Sequence, residues 1–129
     1  EQGGRVVKTI GDAVLCVFDD AGQALAAAIA LQKGYRDEAA RRDLESLPVH
    51  AGLHVGEVVI AHGGDVFGAN VNLAARLLNL AGADELVATR SVAAALGAVG
   101  LPIEHLPARR FKNIADPVDC LRVKLSETT

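Results

Sequence analysis

The chain has 129 residues, of which half are hydrophobic and 22% are charged. This size and composition fit one packed domain and exclude an intrinsically disordered chain. A formal net charge of -3, with only three Phe and one Tyr, excludes the basic, aromatic-rich surface that binds nucleic acid.

The first predicted element is a hairpin. Residues 5–10 and 13–18 are apolar or β-branched runs, and the Gly11-Asp12 pair between them is a strong signal for a tight turn. Asp12 is therefore predicted at the tip of the hairpin. Taken alone, it also fits a turn aspartate with only a local hydrogen bond.

A long helix is predicted next, over residues 21–44, because this stretch lacks proline, is rich in alanine and ends before Pro48. Residues 49–55 and 57–61 then predict a second hairpin around Gly56. The apolar face of the helix is predicted to include Leu25, Ala28, Ile29 and Leu31.

A second helix is predicted from Ala69 or Asn70 to about Leu80. Alternating hairpins and helices predict an α+β fold, a ferredoxin-like sandwich in which helices pack on a mostly antiparallel sheet. The inward residues of the second helix are predicted to be Val71, Ala74, Ala75 and Leu78. Later elements are predicted as strands over residues 85–89, 109–111 and 118–123 and as a short helix over residues 91–99.

Four strings stand in order along the chain: VKTIGDA at residues 7–13, GLHVG at 52–56, DVFGANVNLAAR at 65–76 and FKNIADPV at 111–118. Together they resemble the catalytic domain of the class III adenylyl and guanylyl cyclases. The resemblance extends from Gly3 to about Val123. It implies an enzyme of cyclic-nucleotide signalling that converts ATP into 3',5'-cyclic AMP and pyrophosphate.

The resemblance implies that Lys8 and Asp65 bind the base. An ammonium donates to adenine N1 and a carboxylate accepts from the N6 amine, whereas guanine presents the opposite pattern. The guanylyl members are similar here except for an acid and a small thiol-type residue at the two places. In isolation, Lys8 also fits a strand lysine that reaches solvent, and Asp65 fits a residue of a Gly-Gly-Asp turn.

Asn72 and Arg76 are four residues apart on one predicted helix, so both side chains project from one face. The resemblance implies that they contact a ribose oxygen and the developing charge on the α-phosphate. Lys112 matches the position of a lysine that reaches the triphosphate, and it equally fits a solvated lysine near Asp116. In isolation, Asn72 and Arg76 also fit a residue near a helix N-terminus and a surface arginine.

Cyclisation requires activation of the ribose 3'-hydroxyl and neutralisation of the leaving pyrophosphate, which divalent metal ions supply. Asp12 is the hard oxygen ligand that Mg2+ prefers. The resemblance implies two Mg2+ or Mn2+ ions per site, held by two aspartates of which Asp12 is one. His50 and His54 lack further ligands at zinc spacing, so we interpret His54 as structural.

The resemblance also implies that each site forms between two catalytic domains. One domain provides the metal aspartates, and the other provides the base-binding residues and the Asn and Arg. Since this chain contains residues of both kinds, we expect a homodimer. We also expect a cytoplasmic domain that contacts no membrane, with regulatory domains elsewhere in the parent chain.

Cys16 and Cys120 lie in apolar runs and are predicted to be core residues rather than a disulfide pair.

The complete domain of the family begins with a strand and helix that carry the other metal aspartate. No such string is found here, and the chain contains no methionine. We therefore expect these residues to be part of a longer chain and, alone, to form negligible cyclic AMP with Mg2+ or Mn2+. The alternative function is a non-catalytic nucleotide-binding or dimerisation module of the same fold.

Overall fold

A computed structural model describes residues 4–10, 13–43, 48–112, 114 and 116–125. The described residues form three α-helices and eight strands. The helices are α1 (Ala21–Arg41), α2 (Ala69–Leu78) and α3 (Ala93–Val99). The strands are β1 (Gly4–Ile10), β2 (Ala13–Phe18), β3 (His50–Leu53), β4 (Val59–Ile60), β5 (Val66–Phe67), β6 (Glu85–Thr89), β7 (Ile103–Arg109) and β8 (Val118–Lys124).

Four strands form the central sheet, in the order β3-β6-β8-β7. Strand β3 runs parallel to β6, and the other two pairs are antiparallel. Strands β1 and β2 form a separate antiparallel pair, as do β4 and β5. The predicted α+β sandwich with a mostly antiparallel sheet is therefore confirmed.

Helices cover both faces of the central sheet. Side chains alternate along β6, so this strand presents apolar residues to both faces. Leu86 and Ala88 join one apolar cluster with α1 and α3, whereas Val87 on the opposite face joins a second cluster with α2. Strand β8 repeats this alternation, since Leu121 belongs to the first cluster and Cys120 to the second. The sheet therefore gives α2 a rigid support.

Helix α1 begins where it is predicted to begin because the Asp20 carboxylate accepts a hydrogen bond of 2.8 Å from the Gln23 N–H. It ends at Arg41, before the predicted end at residue 44; residues 44–47 lie outside the described part of the chain. Leu25 is fully buried, as predicted. Leu31 was predicted on the same face, and this prediction was wrong, because 52% of its surface is exposed.

The second predicted hairpin was wrong. Residues of its first strand form β3 in the central sheet, and β4 pairs instead with β5 across the turn at residues 61–65. Gly56 lies against a side chain of α2: a Cβ atom there would come within 2.4 Å of the Asn70 Cγ atom. This glycine therefore permits a tertiary contact rather than a hairpin turn.

Helix α2 exists as predicted, but its inward face was predicted only in part, since Val71, Ala74 and Leu78 are half-buried. The buried residues are Leu73 and Leu77, while Ala75 is exposed. Two leucines at i and i+4 bury far more apolar surface than alanines, and this decides which face turns inward.

The predicted strand over residues 109–111 also differs from the structure. Strand β7 ends at Arg109, and Phe111 lies beyond it, buried in the second apolar cluster. The register between β7 and β8 shifts between Leu106 and Arg109, around Pro107. Proline is tolerated there because β7 is an edge strand.

Both cysteines are free thiols. Cys120 is buried, as predicted for a core residue, whereas Cys16 is only half-buried. Burial raises the pKa of both thiols.

Among the helices that the structure describes, none combines the length and the apolar character needed to cross a membrane.

Candidate active site

Lys8 and Asp65 lie 57 positions apart in the chain and form an ion pair. The Lys8 Nζ atom is 3.1 Å from Asp65 Oδ1 and 3.3 Å from Asp65 Oδ2. About two fifths of each side chain is exposed, 42% for Lys8 and 38% for Asp65. The structure therefore brings together the two residues that are predicted to bind the base.

Local backbone features orient both side chains. On β1, the register with β2 shifts between Val6 and Lys8, and such a bulge changes the direction of the side chain that follows it. Asp65 follows a turn in which Gly63 and Gly64 have φ angles of 86° and 91°, which glycine adopts without strain. The turn closes with a hydrogen bond of 2.8 Å from the Ala61 N–H to the Asp65 carbonyl.

The Asp65 carboxyl is held in its ionised form. The hydrogen bond from Lys8 lowers its pKa below the usual value, and the backbone N–H of Val66, 2.8 Å from Oδ1, lowers it further. An ionised carboxylate only accepts hydrogen bonds, and an ammonium only donates them. The pair therefore presents one donor group beside one acceptor group.

Asn72 and Arg76 lie on α2, on one side of the helix. Asn72 is exposed and Arg76 is half-buried. The helix begins after Gly68, whose φ angle of 129° is in a region that suits glycine, and the Asn72 N–H donates to the Gly68 carbonyl at 3.1 Å. Strand β5 is the short link between Asp65 and this helix, so the order of the chain places the base-binding candidate next to α2.

A close backbone approach fixes α2 on the central sheet. A Cβ atom at Gly52, on β3, would lie 2.5 Å from the Ala74 carbonyl oxygen and 2.7 Å from the Leu78 nitrogen. Real Cβ atoms do not come so close to backbone, so only glycine allows α2 this position. The buried Leu73 and Leu77 anchor the same helix in the second apolar cluster.

Of the other two predicted site residues, the structure describes only Lys112. Lys112 is exposed, and among the described residues no hydrogen bond or ion pair joins it to the other site residues. Asp12 lies outside the described residues, so its predicted place at the hairpin tip and its role as a metal ligand stay predictions. Within the described ranges, no group of three or more His, Cys, Asp or Glu side chains could hold a metal ion.

Sequence reasoning missed the polar residues that surround His54. This residue is bonded to Thr89 and Asn70, neither of which was a candidate. Asn70 offered a signal, since a polar residue with low helix propensity stands in the first turn of α2. Thr89 offered none, because threonine is common in strands.

Comparison with known proteins shows the family of the chain. Residues 1–113 match the model of the adenylate and guanylate cyclase catalytic domain, and the chain belongs to this family. An adenylate cyclase of Streptomyces coelicolor is 40% identical over 87 residues, which are 67% of this chain and 21% of that protein. The chain thus spans about a fifth of the length of this curated relative.

Solved structures confirm the fold. An adenylate/guanylate cyclase/hydrolase from Silicibacter pomeroyi superposes with a TM-score of 0.82 at 30% identity, over 95% of this chain and 73% of that one. The guanylyl cyclase Cya2 superposes with a TM-score of 0.74 at 23% identity, over 95% of this chain and 70% of that one. Because proteins named for either nucleotide share the fold, the fold alone does not decide which base is bound.

Proposed function

We propose that this chain is the catalytic domain of an adenylyl cyclase, which converts ATP into 3',5'-cyclic AMP and pyrophosphate. The ion pair of Lys8 and Asp65 is the observation that carries the proposal. Adenine offers an acceptor at N1 and a donor at N6, which an ammonium beside a carboxylate complements. Guanine offers the opposite pattern, a donor at N1 and an acceptor at O6. The Lys8 ammonium would then face a second donor, and the Asp65 carboxylate would face a second acceptor.

The energetic consequence depends on burial. A wrongly paired polar group costs about 1 to 3 kcal/mol once it is removed from water. One such group alone favours ATP over GTP by about fivefold to 150-fold, so the two together give a preference of at least about tenfold. Because Lys8 and Asp65 are each about two fifths exposed in the single chain, this discrimination requires the bound base and a second subunit to cover them.

The chemical step is assigned to α2. Arg76 is a permanent cation, and its half-burial on a helix anchored by Leu73 and Leu77 restricts its motion. A positioned cation stabilises charge that develops on the α-phosphate, and Asn72 on the same side of the helix contacts the ribose. Lys112 is proposed to reach the triphosphate, which its exposure and charge allow.

Two Mg2+ or Mn2+ ions per site are proposed as cofactors. The support is the chemistry of Asp12, an oxygen ligand of the kind that Mg2+ prefers, together with the family of the chain. When bound, such ions would neutralise triphosphate charge. Orientation of the base, the ribose and the α-phosphate is the task of the residues described above.

A homodimer is proposed because the β4–β5 pair exposes large apolar side chains next to the site. Val59, Ile60 and Phe67 are 64%, 66% and 50% exposed. A cluster of exposed apolar residues marks an interaction surface. In this position a second copy of the chain would cover both the apolar residues and the neighbouring Asp65.

We further propose a cytoplasmic location, no membrane contact by this domain, and regulatory domains elsewhere in the parent chain.

Replacing both Lys8 and Asp65 tests whether these residues bind the base. In the intact, catalytically active protein, Lys8→Glu combined with Asp65→Cys is expected to lower the use of ATP and to raise the share of GTP converted, because the donor and acceptor groups are altered. The measurement is kcat/KM for both nucleotides, with the cyclic product identified by mass.

The matched control is Arg90→Glu combined with Asp119→Cys, which removes an exposed ion pair of 3.6 Å elsewhere on the surface. This control is expected to keep the nucleotide preference of the wild type. If the Lys8 and Asp65 double variant also keeps that preference, the two residues do not bind the base.

A further inference from the structure

A continuous series of hydrogen bonds connects the central sheet to the first turn of α2 through His54. On the side of the sheet, His54 Nδ1 lies 2.7 Å from Thr89 Oγ1, and this hydroxyl lies 2.7 Å from Ser91 Oγ. The Val55 N–H donates to Ser91 Oγ at 3.4 Å. This half of the series therefore ends on a backbone donor.

On the side of the helix, His54 Nε2 lies 2.7 Å from Asn70 Oδ1. The Nδ2 atom of Asn70 donates to the Glu57 carbonyl at 2.8 Å. This half ends on a backbone acceptor. We call the whole series the His54 chain; its members are Val55, Ser91, Thr89, His54, Asn70 and Glu57.

The two ends are compatible with a single direction of hydrogen bonding along the whole series. Because Asn70 donates from Nδ2 to a carbonyl, its Oδ1 atom is the acceptor for His54, and Nε2 is the donor. In the tautomer with its single ring proton on Nε2, Nδ1 accepts from the Thr89 hydroxyl, and Thr89 accepts from Ser91. Ser91 accepts from the Val55 N–H, so each donor has a matching acceptor.

The Asn70 side chain is half-buried and packs against Gly56. A Cβ atom at Gly56 would come within 2.4 to 2.7 Å of three atoms of the Asn70 amide, so glycine makes room for it. Gly68, at the N-terminus of α2, provides no side-chain cap. Asn70, in the first turn, therefore links this end of α2 to the loop after β3, and Thr89, only 4% exposed, anchors the link in the sheet.

We propose that His54 is a positioning residue of the cyclase reaction, which sets the place of the first turn of α2 and hence of Asn72 and Arg76. The inference rests on the proposed function. Asn72 is two residues beyond Asn70, and Arg76 is one further turn along the same helix. A shift of about 1 Å in a catalytic group can cost about a hundredfold in rate, so loss of the His54 chain acts on catalysis from a distance.

The test uses two variants of Thr89 in the intact protein. Thr89→Val keeps the shape but removes the hydroxyl that donates to His54, and it is expected to lower kcat by about tenfold to a hundredfold with KM changed by less than about threefold. Thr89→Ser restores a hydroxyl and is expected to retain kcat within about threefold of the wild type. Equal kcat for Thr89→Val and the wild type, or a change in KM alone, would overturn the proposal.

A second measurement does not depend on activity. Hydrogen exchange of the Asn72 amide, which bonds to Gly68, is expected to accelerate in Thr89→Val and in His54→Phe, while the Leu121 amide in the central sheet keeps its protection. His50→Phe is the matched control, because His50 bonds to the Ala81 carbonyl beyond the end of α2. Unchanged exchange at Asn72 in both variants would contradict the proposal, even in a protein that makes no cyclic nucleotide.

Should Thr89→Val fail to fold, Ser91→Ala gives the same readouts at an exposed position. It removes the hydroxyl that donates to Thr89 and leaves the Val55 N–H without this acceptor. Faster exchange at Asn72 supports the proposal, and unchanged exchange opposes it. Absence of cyclase activity in the wild type would count against the proposed function alone.

Discussion

Replacing Arg76 by alanine is expected to lower kcat for cyclic AMP formation by about tenfold to a thousandfold, with a smaller change in KM. The reason is that a fixed guanidinium stabilises charge that is larger in the transition state than in bound ATP. Asn72→Ala is expected to act in the same direction, since its side chain projects from the same side of α2. Steady-state kinetics of the intact protein with ATP measures both variants.

Arg90→Ala is the control for the loss of an arginine. Arg90 is exposed, lies after β6 and pairs only weakly with Asp119 at 3.6 Å, so its loss should leave kcat near the wild-type value. A rise in KM without a fall in kcat for Arg76→Ala would assign this residue to ground-state binding instead.

Mixing two weakly active variants is expected to restore activity. If each site takes Asp12 from one subunit and Arg76 from the other, a dimer of one Asp12→Ala chain and one Arg76→Ala chain has both defects in one site and none in the second. With free exchange of subunits, about half of the dimers are mixed and half of their sites are intact. The mixture should therefore reach about a quarter of wild-type activity per total protein.

The matched control for this mixing experiment combines Asn72→Ala with Arg76→Ala. Both changes lie on α2, so every site of a mixed dimer keeps one defect and no recovery is expected. Subunit exchange is verified independently by pull-down of differently tagged chains. An Asp12→Ala and Arg76→Ala mixture that exchanges subunits and stays as inactive as its parents would refute the shared site.

Local sequence features predicted the elements whose ends are set by local chemistry. The β1–β2 pair has the predicted second strand, and its first strand begins at Gly4 instead of residue 5. Helix α1 begins after Asp20 because that residue caps it. Both features depend on neighbours within a few positions, which a sequence pattern can show.

The failures have tertiary causes. Gly56 suggested a turn, but its small size serves the contact with Asn70, which lies 14 positions away in the printed sequence. The strand predicted over residues 109–111 lies earlier, as β7, whose position at the edge of the sheet accommodates Pro107. The inward face of α2 has a local cause instead, since the buried Leu73 and Leu77 are four residues apart and lie on one side of the helix.

The candidate site shows the same division. Spacing alone placed Asn72 and Arg76 on one side of a helix, because four residues are about one turn. No spacing rule pairs Lys8 with Asp65, and their association was predicted from the family resemblance. The His54 chain was missed because its members come from three separate segments that only the folded sheet brings together.

Product analysis of the intact wild-type protein tests the central claim most directly. The purified protein is incubated separately with ATP and with GTP, each with Mg2+ and with Mn2+, and the cyclic products are identified by mass and quantified. We predict cyclic AMP from ATP, with kcat/KM at least about tenfold above that for cyclic GMP from GTP. Equal or faster formation of cyclic GMP, or no cyclic nucleotide from either substrate, would contradict the account.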